Sequence, residues 1–349
     1  MTKRPENIIV GISIGDLNGI GSEVILKSLE DTRMLELCTP VIFANVKILS
    51  FLKKQLNLNV NLHGIDKVDQ ILPGKINVLN VWREGVNLEF GKVDENVGSY
   101  AVKSFVEATK ALKEGTIDVL VTAPINKSNI QSEEFSFPGH TDYLNQELEG
   151  NALMLMIQDN LRVGLLTDHV PINEVAKHLT EDLIRKKIQT INQTLVRDFG
   201  INKPKIAVLG LNPHSGDNGV IGDEEEKVLK PALKKIFEEG ILVFGPYSAD
   251  GFFGSNQYEK YDAVIATYHD QGLIPFKTLS FGKGVNYTAG LNKIRTSPDH
   301  GTGFDIAGKG IADHQSFSEA IYAAIDIFKS RMAYEEMVAN PLKIKEKQL

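Results

Sequence analysis

Short apolar, β-branched runs alternate along this chain with stretches whose apolar residues recur every third or fourth position. The short runs predict strands at residues 7–14, 40–45, 75–81, 118–123, 161–167, 205–211, 241–245, 262–268 and 285–290. Several are apolar on both faces, as in strands covered by helices on each side. The longer-period stretches predict helices over residues 22–31, 98–115, 180–200, 224–240 and 316–337. Thr180 reads as a capped helix start and Gly200 as a C-terminal stop. Strand and helix in alternation predict an α/β protein with a largely parallel sheet. No internal repeat or low-complexity linker interrupts the chain, so two lobes would have to be interwoven or tightly joined.

Composition narrows the class. With 349 residues, 42% hydrophobic and 24% charged, the chain has ordinary globular make-up. At roughly 150 residues per domain it suggests two domains. The net charge of -7 and the lack of a Lys/Arg stripe argue against a nucleic-acid surface, while leaving room for a local cationic pocket. Cys38 is the single cysteine, so no internal disulfide can form, which fits a reducing compartment. Lys3 and Arg4 precede a short, Gly-broken apolar run ending at Asp16, which reads as a first strand rather than a signal peptide. No apolar segment approaches the roughly 18 residues that span a bilayer. A cytoplasmic protein without membrane partners is the expectation.

The candidate chemistry gathers at strand ends. In "YDAVIATYHDQGLIPFK" a buried run delivers His269, Asp270 and Gln271 together. His169 and His214 follow two other strands in the same way. In open α/β sheets ligands bind outside the carboxyl ends of the strands, so three such loops could converge. Three imidazoles suit zinc or a neighbouring transition metal and leave a position open for substrate, with Asp168 and Asp270 as acceptors that could orient the rings. The competing reading, three ordinary loop histidines, stands at about equal weight on spacing alone. His63 and His178 read as surface residues, while His300 and His314 flank a glycine-rich segment.

Two further groups add polar contacts. Gly139, His140 and Thr141 lie in a turn context, and Lys277, Asn286 and Arg295 near the ends of the last strands. That mixture of point charge, guanidinium fork and neutral donors suits a phosphate monoester or carboxylate, although both cations could be plain surface charges. Of the glycine-rich stretches, "GDLNGIGSE" at 15–23 could be a phosphate cradle or a tight strand-to-helix turn. "SPDHGTGFDIAGKG" at 297–310 could wrap a flat polar ligand such as an adenosine, or form a lid.

As an ordered set these motifs carry a resemblance. "GDLNGIGSE", "VTAPINK", "FPGHTDYL", "LLTDHVPI", "LNPHSGDNGVIGDEE", "GPYSADGFF", "YHDQGLIPFK" and "DHGTGFDIAGKG" together resemble the 4-hydroxythreonine-4-phosphate dehydrogenase family, NAD-dependent enzymes of vitamin B6 synthesis. The likeness runs from about residue 8 to about 330. It implies a two-lobed isocitrate/isopropylmalate-dehydrogenase-like α/β/α sandwich, one lobe from 1–128 plus 277–349 and the other from 129–276. It further implies a homodimer whose active site the partner subunit completes. A divalent metal (zinc, cobalt or magnesium) falls on His169, His214 and His269, and the phosphorylated substrate on His140, Thr141, Lys277, Asn286 and Arg295. NAD, with NADP as the alternative, falls on His300, Gly301, Thr302 and Asp305. Lys277, Asp250 and Asp270 are candidates for the base. The chain departs from the usual pattern at Leu17, Asn18, Asp142, Gly303 and Phe304. Alternatives are a paralogue oxidising a threonate- or erythronate-type phosphate, a phosphotransacetylase-like acyltransferase, and a non-catalytic phosphometabolite-binding protein.

Overall fold

A computed structural model describes residues 7–132 and 135–339; Lys3, Arg4 and the ends of the expected first lobe lie outside them. Twelve strands follow in chain order. The first six are β1 (Ile8–Ser13), β2 (Cys38–Ala44), β3 (Leu62–Ile65), β4 (Ile76–Asn80), β5 (Val119–Thr122) and β6 (Gly150–Gln158). The others are β7 (Leu161–Leu165), β8 (Ile206–Leu209), β9 (Val243–Tyr247), β10 (Ala263–Ala266), β11 (Val285–Leu291) and β12 (Ile294–Pro298). They form one sheet in the order β3-β4-β2-β1-β5-β12-β11-β6-β7-β10-β8-β9. The β12–β11, β11–β6 and β6–β7 pairs are antiparallel, and every other pairing is parallel. The α/β class with a largely parallel sheet is therefore as expected. The last two strands return to the middle of the sheet and stitch its two halves together.

All nine expected strands are present, and β3, β6 and β12 are additional. Each hid its period. β3 is a short edge strand containing His63 and Gly64, and β6 is Met- and Leu-rich, a composition shared with helices. β12, with the sequence IRTSP, reads as polar, yet every residue in it is buried. Thr296 shows how: its hydroxyl donates to the carbonyl of Ala320 at 2.7 Å.

The helices obey their end signals. Thr180 Oγ1 accepts from Leu183 N at 3.2 Å, and Gly200 ends the helix Glu181–Phe199 with φ of 66°. Helices at Val46–Gln55, His140–Glu147 and His269–Ser280 were not expected. The last corrects a placement: Lys277 lies on a helix and not at a strand end. Pro275 inside that helix had masked it in the sequence. Asn286 and Arg295 occupy the second positions of β11 and β12.

A buried charge cluster binds the returning strands to their covering helices. Asp198, near the end of Glu181–Phe199, accepts from Arg331 Nε at 2.6 Å and from the Tyr287 hydroxyl at 2.6 Å. Arg331, on the helix Gln315–Ala339, also donates to Leu291 O at 3.0 Å. Burial works against ionisation of Asp198, but the hydrogen bonds and charges of Arg331 and Arg197 outweigh it, and the carboxyl stays below its usual range. Asp198→Ala should cost about 3–5 kcal/mol in urea unfolding, because it strands a buried cation. A loss below about 1 kcal/mol would contradict this role.

Candidate active site

A cavity of about 350 Å³ opens where the loop after β5 meets β6, β11 and β12. Its wall includes all five residues expected to hold a phosphorylated substrate: His140, Thr141, Lys277, Asn286 and Arg295. Arg295 is almost fully buried, at 3% exposure. Among the described residues it has no carboxylate partner. Nε and one terminal nitrogen donate to Thr122 Oγ1 at 3.0 and 2.5 Å, and the other terminal nitrogen donates to Thr288 Oγ1 at 3.1 Å. Burial alone pushes its guanidinium down to about 9, which leaves it charged at neutral pH.

Arg295 also sets the state of His140. A terminal guanidinium nitrogen lies 3.0 Å from His140 Nδ1. An arginine can only donate, so Nδ1 must accept and the proton of the neutral ring must be on Nε2. Burial, and after it the charges of Arg295 and Lys127, hold the imidazole well below its usual pKa. His140 Nε2 is shielded from water and has no partner. The cavity thus combines an uncompensated cation with an unused N–H donor, and Lys127, Lys277 and Thr141 share the wall. Lys277 is partly committed: its ammonium donates to Asp299 O at 2.8 Å. The charge and donor pattern fits a phosphate monoester.

The three strands that precede the histidines lie side by side, since β7, β10 and β8 are parallel neighbours. Gln271 locks these ends. Its Oε1 accepts from Thr267 N at 2.7 Å and its Nε2 donates to Gly210 O at 2.6 Å. The amide in the His-Asp-Gln run is therefore structural. Asp270 Oδ1 lies 2.7 Å from His269 Nδ1 and orients that ring as expected. Asp168 does not orient a ring; it pairs with Lys187 at 3.1 Å, because the helix Glu181–Phe199 presents that lysine to it.

The rings of His169 and His269 are 5.8 Å apart, and His169 lines the cavity. His214 stands apart on an exposed turn in which His214, Ser215, Asp217 and Asn218 all have positive φ. Among the described residues, no three His, Cys, Asp or Glu side chains are placed to hold one ion. The donors fit a transition cation in kind, while one chain does not gather them. Asp250 and Asp270 are exposed and lie outside the cavity wall, whereas Lys277 is part of it. Asp250 accepts from Ser248 Oγ at 2.5 Å.

The two glycine-rich segments pack on each other. Ile20 N donates to Thr302 O at 2.9 Å, and a Cβ on Gly19 would lie 2.7 Å from that same carbonyl. Asn18 N donates to Asp16 Oδ1 at 2.9 Å, and Gly19 N to Asp16 O at 3.1 Å. The N–H groups of Asn18, Gly19 and Ile20 are thus taken up within the chain, which favours the reading of 15–23 as a tight turn. At the other end of the second loop, Glu23 accepts from Ala312 N and Lys27 donates to Gly310 O. His300 and Gly301 reach the cavity, Thr302 is committed to the packing, and Asp305 is exposed.

Comparison with known proteins identifies the family. The family model described as "Pyridoxal phosphate biosynthetic protein PdxA" matches residues 36–324. The chain belongs to this family. A 4-hydroxythreonine-4-phosphate dehydrogenase from Bacteroides thetaiotaomicron is 48% identical over 338 residues, covering 96% of this chain and 93% of its own. A relative from Oceanobacillus iheyensis, provisionally named a D-threonate 4-phosphate dehydrogenase, is 38% identical over 94% of this chain and 99% of its own. The crystal structure of the 4-hydroxythreonine-4-phosphate dehydrogenase from Klebsiella pneumoniae has a TM-score of 0.81 at 34% identity, covering 93% of this chain and 99% of its own. As a member of the PdxA family the chain is a dehydrogenase.

Within this PdxA-family site, Thr122 and Lys127 were missed as wall residues. Both belong to "VTAPINK", the end of β5 and the loop after it, and position at a strand's carboxyl end was the available signal. The His140 ring gives a pH test. Its folded pKa is depressed, so its contribution to stability is complete above the unfolded value near 6.5 and is lost as pH falls toward the folded value. Between pH 7 and 5.5, His140→Gln should therefore lose less stability in thermal melts than wild type. A constant difference between the two would contradict a neutral buried ring.

Proposed function

We propose that this PdxA-family dehydrogenase oxidises 4-phosphooxy-L-threonine (4-hydroxythreonine 4-phosphate) with NAD. The product, 2-amino-3-oxo-4-phosphooxybutanoate, loses carbon dioxide to give 3-amino-2-oxopropyl phosphate on the route to pyridoxal phosphate. The observation that carries the reading is Arg295, a buried guanidinium with neutral acceptors and no carboxylate, beside the free N–H of His140. A terminal phosphate satisfies both.

A divalent cation (zinc, cobalt or magnesium) on His169, His214 and His269 would supply Lewis acidity to the substrate hydroxyl, and NAD would supply the hydride acceptor. Arg295, His140 and Thr141 anchor the phosphate and thereby place the reacting carbon toward His169. Lys277, tethered to Asp299 O, is the base candidate that lines the cavity. His300 and Gly301 at the rim are the loop residues available to a nucleotide. The exposed positions of His214 and Asp250 support a homodimer in which the partner subunit completes the site. The division at 1–128 plus 277–349 and 129–276 remains our reading of the lobes.

The threonate- or erythronate-type phosphate is the second reading, favoured by the name of the Oceanobacillus iheyensis relative. Incubation with NAD and 4-phosphooxy-L-threonine should produce NADH. Arg295→Met should lower kcat/KM by roughly 30-fold or more, the loss expected for one partner of a buried charge pair. No NADH from 4-phosphooxy-L-threonine, with turnover of a threonate phosphate, would transfer the assignment to the paralogue. Chelation should abolish turnover, and added zinc or cobalt should restore it. Undiminished turnover by metal-stripped His214→Ala would remove the metal from the account.

A further inference from the structure

We infer that Asp168 receives the substrate's ammonium group and so selects an amino-acid phosphate over a hydroxy-acid phosphate. This rests on the substrate reading above and sharpens it.

Lys127, Lys277 and Arg295 on the cavity wall answer the phosphate and the carboxylate of such a substrate. An ammonium group needs the opposite partner. Three carboxylates reach the wall: Asp142, Asp168 and Asp299. Asp142 is exposed, on the first turn of the helix His140–Glu147. Asp299 already accepts from the Ser316 hydroxyl at 3.3 Å. Asp168 differs from both. Its Oδ2 is held by Lys187 at 3.1 Å, while its Oδ1 is shielded from water and has no partner. A shielded carboxylate oxygen without a donor is rare in native proteins and calls for an explanation.

Position supports the assignment. The backbone before Asp168 is fixed, since Thr167 N and Oγ1 both donate to Thr267 O, at 3.2 and 2.7 Å. Asp168 directly precedes His169, the histidine at the cavity wall. In the proposed substrate the ammonium-bearing carbon directly adjoins the hydroxyl-bearing carbon. A carboxylate next to the group that faces the hydroxyl is therefore where an ammonium would arrive. Lys187 pairs with Oδ2, the other oxygen, and is not among the residues of the cavity wall. An ammonium gains a charge-assisted bond there, whereas a hydroxyl gains an ordinary one. A site built around a charged partner discriminates strongly against an analogue that lacks it.

The test compares wild type with Asp168→Asn on two compounds: 4-phosphooxy-L-threonine and the same four-carbon phosphate with hydroxyl in place of ammonium. NADH formation gives kcat/KM for each. Calorimetric titration without NAD gives binding free of turnover. Wild type should prefer the amino compound, and the variant should lose about 10- to 100-fold of that preference, chiefly in binding. The hydroxy compound should change little. Equal losses on both compounds, or an unchanged preference, would overturn the inference and leave Asp168 a structural partner of Lys187. Wild type that oxidises neither compound would overturn the substrate reading and this inference with it. Wild type that keeps the amino preference while Asp168→Asn also keeps it overturns the inference alone. Asp168→Ser provides the same comparison should the amide variant fail to fold, and Lys187→Met, which leaves Asp168 intact, should retain the preference.

Discussion

The structure turns on a positive charge that the protein itself does not neutralise. Arg295 is buried in β12, held by the hydroxyls of Thr122 and Thr288, and touches a histidine that must stay neutral to accept from it. Arg331, also buried, shows the alternative: it is closed by Asp198 and contributes to architecture. The difference is decisive because an uncompensated buried charge is costly, and a ligand anion can relieve that cost. Hydroxyl acceptors fix the guanidinium's orientation without spending its charge.

The sheet topology makes this arrangement possible. β12 lies between β5 and β11, so the Thr122 and Thr288 hydroxyls flank Arg295 from its two neighbours. The helix His140–Glu147 brings His140 from a segment far away in sequence. On the other side, β7, β10 and β8 run parallel and release His169, His269 and His214 from adjacent ends. Gln271 ties two of those ends, so their separation is set by the sheet and not by loop flexibility. β12, which carries Arg295, and β7, β10 and β8, which precede the three histidines, belong to one sheet, and His169 lines the same cavity as Arg295.

Much of this was legible in the chain. The apolar runs located nine of the twelve strands, since strands covered on both faces need little polar interruption. The five residues expected to hold a phosphorylated substrate and His169 were named by type and position, and the wall of one cavity includes them. The misses have physical reasons. Arg295, Thr296 and Ser297 make β12 look polar, although Arg295 and Thr296 satisfy their side chains by hydrogen bonds and Ser297 joins Arg295 on the cavity wall. Pro275 concealed the helix that carries Lys277. The glycine spacing of 15–23 suggested a phosphate cradle, but Asp16 takes the N–H groups of Asn18 and Gly19, and the carbonyl of Thr302, 282 residues further along the chain, takes that of Ile20. Distances of that kind are not visible in a linear string.

The central claim is that the Arg295 cavity holds a phosphate anion, and equilibrium unfolding in graded inorganic phosphate tests it most directly. Wild type should gain stability with phosphate, reaching about 2.7 kcal/mol when phosphate stands at a hundred times its dissociation constant. Arg295→Met should show almost no such gain over the same range, at matched ionic strength. Equal stabilisation of both proteins by phosphate would contradict the account, because the anion would then be binding elsewhere.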